Sequence, residues 1–271
     1  MVSPLISRKQ HGATAIISFN NPPRGYLNLA QVEELSDELD KLEQDDNIRS
    51  IVFTGGVPGV FIRHYDVAEI LAVATQIRES QHDRESLMAT GERGNSISAL
   101  FDRIDDFAKP TIAAINGFCQ GGGFEFALCC DFRIAESGDY QIGLPETNIG
   151  IFPGAGGTQR LPRLIGEARA LELILRGRTL SPSEAASLGL VHVHVTASAL
   201  DHALQIAEEL NGKSAQALMN AKRLVKQSNY HGLKEGCALE RGMFSSLLAE
   251  SDDAVRSMED FLANGENINS P

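Results

Sequence analysis

Short apolar runs recur along the chain, several closed by glycine, asparagine or proline and followed by a helix signal. This alternation constrains the fold more than any other feature. TAIISFN (14–20) is apolar and β-branched and ends at Asn-Pro-Pro. Asn28 and Gln31 then stand at capping-box spacing before Val32, Leu35, Leu39 and Leu42, a stripe of helical period. SIVFTGG (50–56) reads as a second strand stopped by glycines, with a helix starting at Asp66. KPTIAAING (109–117) reads as a third, and GGGFEFALCCD follows it as a helix. FRIAE and YQIGLPE add two strand-like runs. After Pro162 helices dominate: Ser181 as N-cap, Pro182 and Glu184 in the first turn and Gly189 past the end form one complete set of start and stop signals. VHVHV (191–195) alternates as a strand, and nearly everything from Ser198 onward reads as helix. The prediction is an α/β core over residues 1–198 and a helical part over 199–271.

Composition narrows the function. A chain of 271 residues that is 42% hydrophobic buries a sizeable core. Its 24 basic against 36 acidic side chains give a net charge of −12, and no Lys/Arg run exceeds two residues. Neither nucleic acid nor an anionic membrane is therefore expected as a partner. The uncharged run from Pro110 to Phe124 stops at Glu125, short of a membrane span. Cys119, Cys129, Cys130 and Cys237 lack metal-ligand spacing and read as free thiols of a reducing compartment. MVSPLISRKQHG has no apolar leader region, so a cytoplasmic protein is expected.

The chemistry centres on GFCQGGGFE (117–125). Bare glycines where a strand becomes a helix leave unpartnered N–H groups at the positive end of the helix dipole. The phosphate-loop, dinucleotide, nucleophile-elbow and zinc-protease patterns are all absent. The residues alone leave two readings: a glycine turn feeding a core helix, or an oxyanion hole with Glu125 in the first helical turn. Glu146, after Pro145 and before TNIGIFPGAGG, stands at a second element boundary. Together the two carboxylates outline an acid/base pair, whereas Glu146 alone also fits a solvated surface position.

KPTIAAINGFCQGGGFEFALCCDFRIA, LPETNIGIFPGAGGTQRLPRLIG and TLSPSEAASLGLV resemble the enoyl-CoA hydratase/isomerase (crotonase) superfamily over nearly the whole chain. The resemblance implies a crotonase-like spiral of ββα units forming an α/β catalytic core, and a helical C-terminal oligomerisation region that builds homotrimers or dimers of trimers. It implies an acyl-CoA thioester substrate, as in fatty acid metabolism, with no metal and no cofactor beyond the coenzyme A of the substrate. The oxyanion hole it implies is the backbone N–H of Gly122, beside Gly121, and that of Tyr65. Tyr65 lies in FIRHYD, where relatives carry a small Gly-Ala pair in place of His64-Tyr65 before Asp66. Both glutamates are present, which favours syn addition of water to a trans-2-enoyl-CoA. RGYLN (24–28) matches the loop along CoA, assigning contacts to Arg24, Tyr26 and Leu27, and Lys222 matches a lysine near the nucleotide. The C-terminal FLANGENINSP lacks the basic pair that relatives place there. The stretch from Asp66 to Lys109 is long and polar, implying either an atypical acyl group or a surface loop. Other superfamily reactions (enoyl-CoA isomerase, acyl-CoA hydrolase, aromatic acyl-CoA hydratase-lyase) form the second reading. A non-catalytic CoA- or RNA-binding scaffold is the third.

Overall fold

Apolar strands that lack alternation bury both faces, so they need a layer on each side of their sheet. The computed structural model describes residues 4–80 and 83–263 and has this arrangement. β1 (Ile6–His11), β2 (Thr14–Phe19), β3 (Ser50–Gly55), β5 (Thr111–Ile115), β7 (Phe132–Glu136) and β10 (Val193–Val195) form one sheet in that order. All neighbours are parallel except the β1–β2 hairpin. On one face, Ile51, Phe53, Ala113 and Ile115 pack against α1 (Leu29–Gln44), α4 (Ser96–Asp105) and α5 (Gly122–Cys129). On the other, Val52, Ile112, Ala114 and Ile134 meet Ala199, Ala203 and Ala207 of α9 (Ala199–Asn211). Ser198, where the helical part is expected to begin, is the N-cap of a helix that lies on the core sheet, its small residues allowing close approach.

A second sheet sets the site. β4 (Val60–Ile62), β6 (Phe118–Gln120), β8 (Ile142–Gly143) and β9 (Thr179–Leu180) pair in that order, the first three in parallel. Strands β3, β5 and β7 of the large sheet each continue into β4, β6 and β8 of the small one. Helical structure then follows each pair: α2 (Val67–Glu79), α5, and a 3-10 turn (Glu146–Ile149) leading to α6 (Gly157–Ile165). This connectivity is a spiral of ββα units. In its register Ile62 opposes Cys119, and Cys119 opposes Ile142. The turns that follow, at Tyr65, Gly122 and Glu146, therefore emerge side by side at one edge.

The remaining elements are α3 (Arg84–Arg93), α7 (Glu167–Leu175), α8 (Pro182–Ser187), α10 (Ala215–Gln227), α11 (Leu233–Glu250) and α12 (Asp252–Ala263). The long polar stretch after Asp66 folds as α2, α3 and α4, and neither α2 nor α3 buries a residue. α10, α11 and α12 bury none either. β1 is not foreseen by periodicity, because SRKQH is polar and edge-exposed past Ile6. The Asn28 side chain caps α1 by accepting from Gln31 N at 3.0 Å, but the Gln31 side chain turns away to donate to Leu5 O, so only half the expected capping box forms. Cys119, Cys129 and Cys130 are buried free thiols and Cys237 is half-buried. Among the described residues, no helix is long and apolar enough to cross a membrane. The C-terminal NGENINSP lies outside the described residues.

Candidate active site

The small sheet loses one rung where β6 ends. Leu27 N–H donates to His64 O at 2.9 Å and Asp66 N–H donates to Leu27 O at 2.8 Å, a parallel bridge between Leu27 and Tyr65. Alternation along an extended strand then turns the Tyr65 N–H to the opposite side, toward β6. There Gln120 N–H donates to Arg63 O at 3.1 Å. The next rung of a parallel ladder would run from Tyr65 N–H to Gln120 C=O. It does not form, because the chain leaves the sheet at Gly121, with φ +51°, and enters α5. Among the described residues, the Tyr65 and Gly122 amides have no hydrogen-bond acceptor. A Cβ on Gly122 would sit 3.0 Å from Tyr65 Cβ and 3.3 Å from Tyr65 N, so a side chain there would crowd the second amide. One on Gly121 would lie 3.3 Å from Glu146 Oε1 and 3.6 Å from His64 Cβ, which places both side chains around this turn.

The two carboxylates sit in opposite environments. Glu125, 3% exposed, projects from the first turn of α5, and its Oε1 accepts from Ala155 N and Gly157 N, each at 2.8 Å. Burial raises its pKa; the two N–H groups and the Arg160 charge oppose that by favouring the ionised form. Glu146 opens the 3-10 turn, and both its carboxylate oxygens are buried without a hydrogen-bond partner among the described residues. Burial is the main cause that lifts its pKa from 4.5 to about 7, with its own backbone N–H opposing the rise and the Glu125 charge adding to it. Two N–H donors thus favour the ionised form of Glu125, while Glu146 has none and its carboxyl is pushed up to about 7.

The bulky His64-Tyr65 pair is accommodated beside the turn. Tyr65 Oη donates to Glu69 Oε2 at 2.5 Å, so the phenol is held against α2. The carbonyl of Tyr65 accepts from His64 Nδ1 at 2.7 Å, which requires the proton on Nδ1. The His64 ring stacks on Tyr26, centroids 4.3 Å apart. Arg24 donates to the Tyr26 hydroxyl at 3.3 Å and is otherwise exposed. Leu27 is fully buried. The Asp66 side chain caps α2 by accepting from Ala68 N at 2.9 Å. Lys222 belongs to a different cluster: its ammonium pairs with Asp131 at 2.8 Å and donates to Lys109 O at 3.2 Å.

Sequence reasoning passes over the two groups that hold Glu125, the amides of Ala155 and Gly157. Their signal is GAGG (154–157), which matches no phosphate loop yet supplies bare N–H groups at the start of α6. It also passes over Glu69, four residues after Tyr65 on the first turns of α2, one helical turn from the phenol.

Burying an ionised Glu146 costs stability, and the sign follows from linkage. Folding raises its pKa from 4.5 to about 7, so the folded state is progressively disfavoured as pH rises between those values, with the full cost present above 7. A neutral glutamine carries no such cost. Glu146→Gln is expected to be more stable than wild type at about pH 8 by about 1–3 kcal/mol, the gap closing below about pH 4.5. Urea unfolding at the two pH values checks this, and a variant less stable at the higher pH would contradict it.

Known proteins of one family resemble this chain along almost its whole length. The family model for enoyl-CoA hydratase/isomerase matches residues 9–267. The chain is 38% identical over 250 residues to a probable enoyl-CoA hydratase of Bacillus subtilis (strain 168), covering 92% of each chain. It is 35% identical over 260 residues to the 2,3-dehydroadipyl-CoA hydratase of Escherichia coli (strain K12), covering 95% of this chain and 94% of the relative. A crystal structure of an enoyl-CoA hydratase subunit from Geobacillus kaustophilus HTA426 superposes with a TM-score of 0.82 at 34% identity, covering 96% of this chain and 95% of that one. The ββα spiral is therefore a crotonase fold, and the chain belongs to the enoyl-CoA hydratase/isomerase family.

Proposed function

We propose that the protein adds water syn across the C2=C3 bond of a trans-2-enoyl-CoA. The observation that carries this reading is the division between the carboxylates, Glu125 held by two N–H donors and Glu146 buried without a partner. Glu125 takes a proton from water as its oxygen bonds to C3. The electron pair of the double bond moves toward the thioester oxygen, where the Gly122 and Tyr65 amides meet the growing charge. Glu146 delivers its proton to C2 on the same face. One such N–H donor is worth about 2.7–4 kcal/mol in a transition state. The names of the relatives support hydration over the other reactions of the family.

Arg24, Tyr26 and Leu27 form the strap along which the CoA moiety runs in this reading, with His64 and Asp66 beside it and Gly121 at the turn. A contact from Lys222 to the nucleotide would require its ammonium to exchange Asp131 for a phosphate. α11 and α12 expose Leu233, Phe244 and Leu262 and bury nothing of their own, which supports self-association into trimers or dimers of trimers.

Loss of enoyl-thioester absorbance with crotonyl-CoA and with longer and aromatic enoyl-CoAs tests the reaction. Glu146→Gln is expected to lower kcat by about 10²- to 10⁴-fold. The acid/base pair works with one proton, so kcat/KM is expected to fall as pH rises through about 7, where Glu146 loses the proton it must give. It falls again on the acid side, as Glu125 becomes protonated. A wild type that binds CoA yet turns over none of these substrates would overturn the hydratase reading. For the assembly, sedimentation equilibrium is expected to give about three or six times the 29.3 kDa chain mass, and a 29.3 kDa species would contradict it.

A further inference from the structure

Tyr65 contributes more than its backbone. Its ring packs against the edge of the core, and its hydroxyl donates to Glu69 Oε2 at 2.5 Å. The same oxygen accepts from Leu29 N, the first residue of α1, at 3.1 Å. Glu69 therefore joins three segments: the turn carrying the Tyr65 amide, the first turns of α2, and the start of α1 just beyond the Leu27 bridge. The bridge fixes the strand on one side of Tyr65 through His64 O and Asp66 N. The free amide lies on the other side, where no rung holds it. Rotation of the peptide about this bridge is opposed by the side chain, and the side chain is anchored by Glu69.

We propose that Glu69 and the Tyr65 hydroxyl are positioning residues for the Tyr65 amide donor, orienting it toward the thioester oxygen through their shared hydrogen bond. The inference rests on the oxyanion reading of the site, and it concerns orientation alone: neither group touches the reacting atoms. Phenylalanine preserves the ring and removes only the tie. Glutamine at position 69 preserves an acceptor oxygen for both donors, whereas alanine removes it.

The test is a double-mutant cycle with two readouts. Tyr65→Phe and Glu69→Ala are each expected to lower kcat on crotonyl-CoA about tenfold while KM stays within about twofold, since misplacement of a catalytic group acts on the transition state. The double variant should be no worse than Glu69→Ala, which already removes the bond to the Tyr65 hydroxyl along with that to Leu29 N. Glu69→Gln should recover most of the rate. The second readout is the enolate absorbance of saturating acetoacetyl-CoA, whose enolate draws on the same donors without any hydration step. It is expected to fall about threefold in Tyr65→Phe and Glu69→Ala and to recover in Glu69→Gln. Single variants that match wild type in both readouts, or penalties that simply add in the double variant, would overturn the proposal. A wild type that forms the enolate but hydrates no enoyl-CoA, with the enolate lost in both single variants, would uphold the positioning role while overturning the hydratase reading.

Discussion

Among the described residues the Tyr65 amide has no acceptor, because the chain beside it leaves the small sheet at Gly121, one rung before the ladder with β4 would have used it. An N–H kept without an acceptor costs about 1–3 kcal/mol, so such a group persists only where the surrounding fold prevents the bond from forming. Here the prevention is topological. The bridge to Leu27 fixes one side of Tyr65, and the start of α5 takes the other side away. Three parallel strands in register bring the Tyr65, Gly122 and Glu146 turns to the same edge, so the donors and a carboxylate meet without long-range adjustment.

Aromatic packing behind that edge holds the helix that carries Glu125. Phe126, the residue after Glu125, sits among Phe19, Phe53 and Phe101 with ring centroids 5.1, 5.1 and 5.7 Å away. Edge-to-face packing of this kind fixes the rotation of α5 about its axis. That rotation in turn decides where Glu125 points. The turn at residues 155–157 then fills one oxygen of Glu125 with two N–H donors, while among the described residues nothing comparable reaches Glu146. The two glutamates thus differ in the hydrogen-bond donors that their neighbours offer them.

Much of the scaffold was legible in the sequence because it rests on local signals. The β-branched runs of β2, β3 and β5, the stripe of α1 and the capping box of α8 each announce themselves within a few residues. The glycines before Glu125 mark the turn, and Pro145 marks the next. β1 was not legible, since an edge strand with one buried residue has no apolar alternation. The assignment of α9 to the core depends on alanines that match the sheet, a pattern that signals a close contact without naming its partner. Nor was the division between Glu125 and Glu146 legible. It depends on amides some 30 positions from Glu125, brought there only by the fold. The direction of the Tyr65 phenol was hidden for the same kind of reason, because Glu69 becomes its partner only once α2 begins at Val67.

In the proposed function the Tyr65 amide, freed by the missing rung, and the Gly122 amide, at the start of α5, polarise the carbonyl of a bound thioester. Difference infrared spectroscopy of butyryl-CoA, unlabelled and carrying carbon-13 at the thioester carbon, measures this polarisation without requiring turnover. The predicted result is a carbonyl stretch that moves to lower frequency on binding, relative to the same thioester in water. A bound carbonyl at or above its solution frequency would contradict the account.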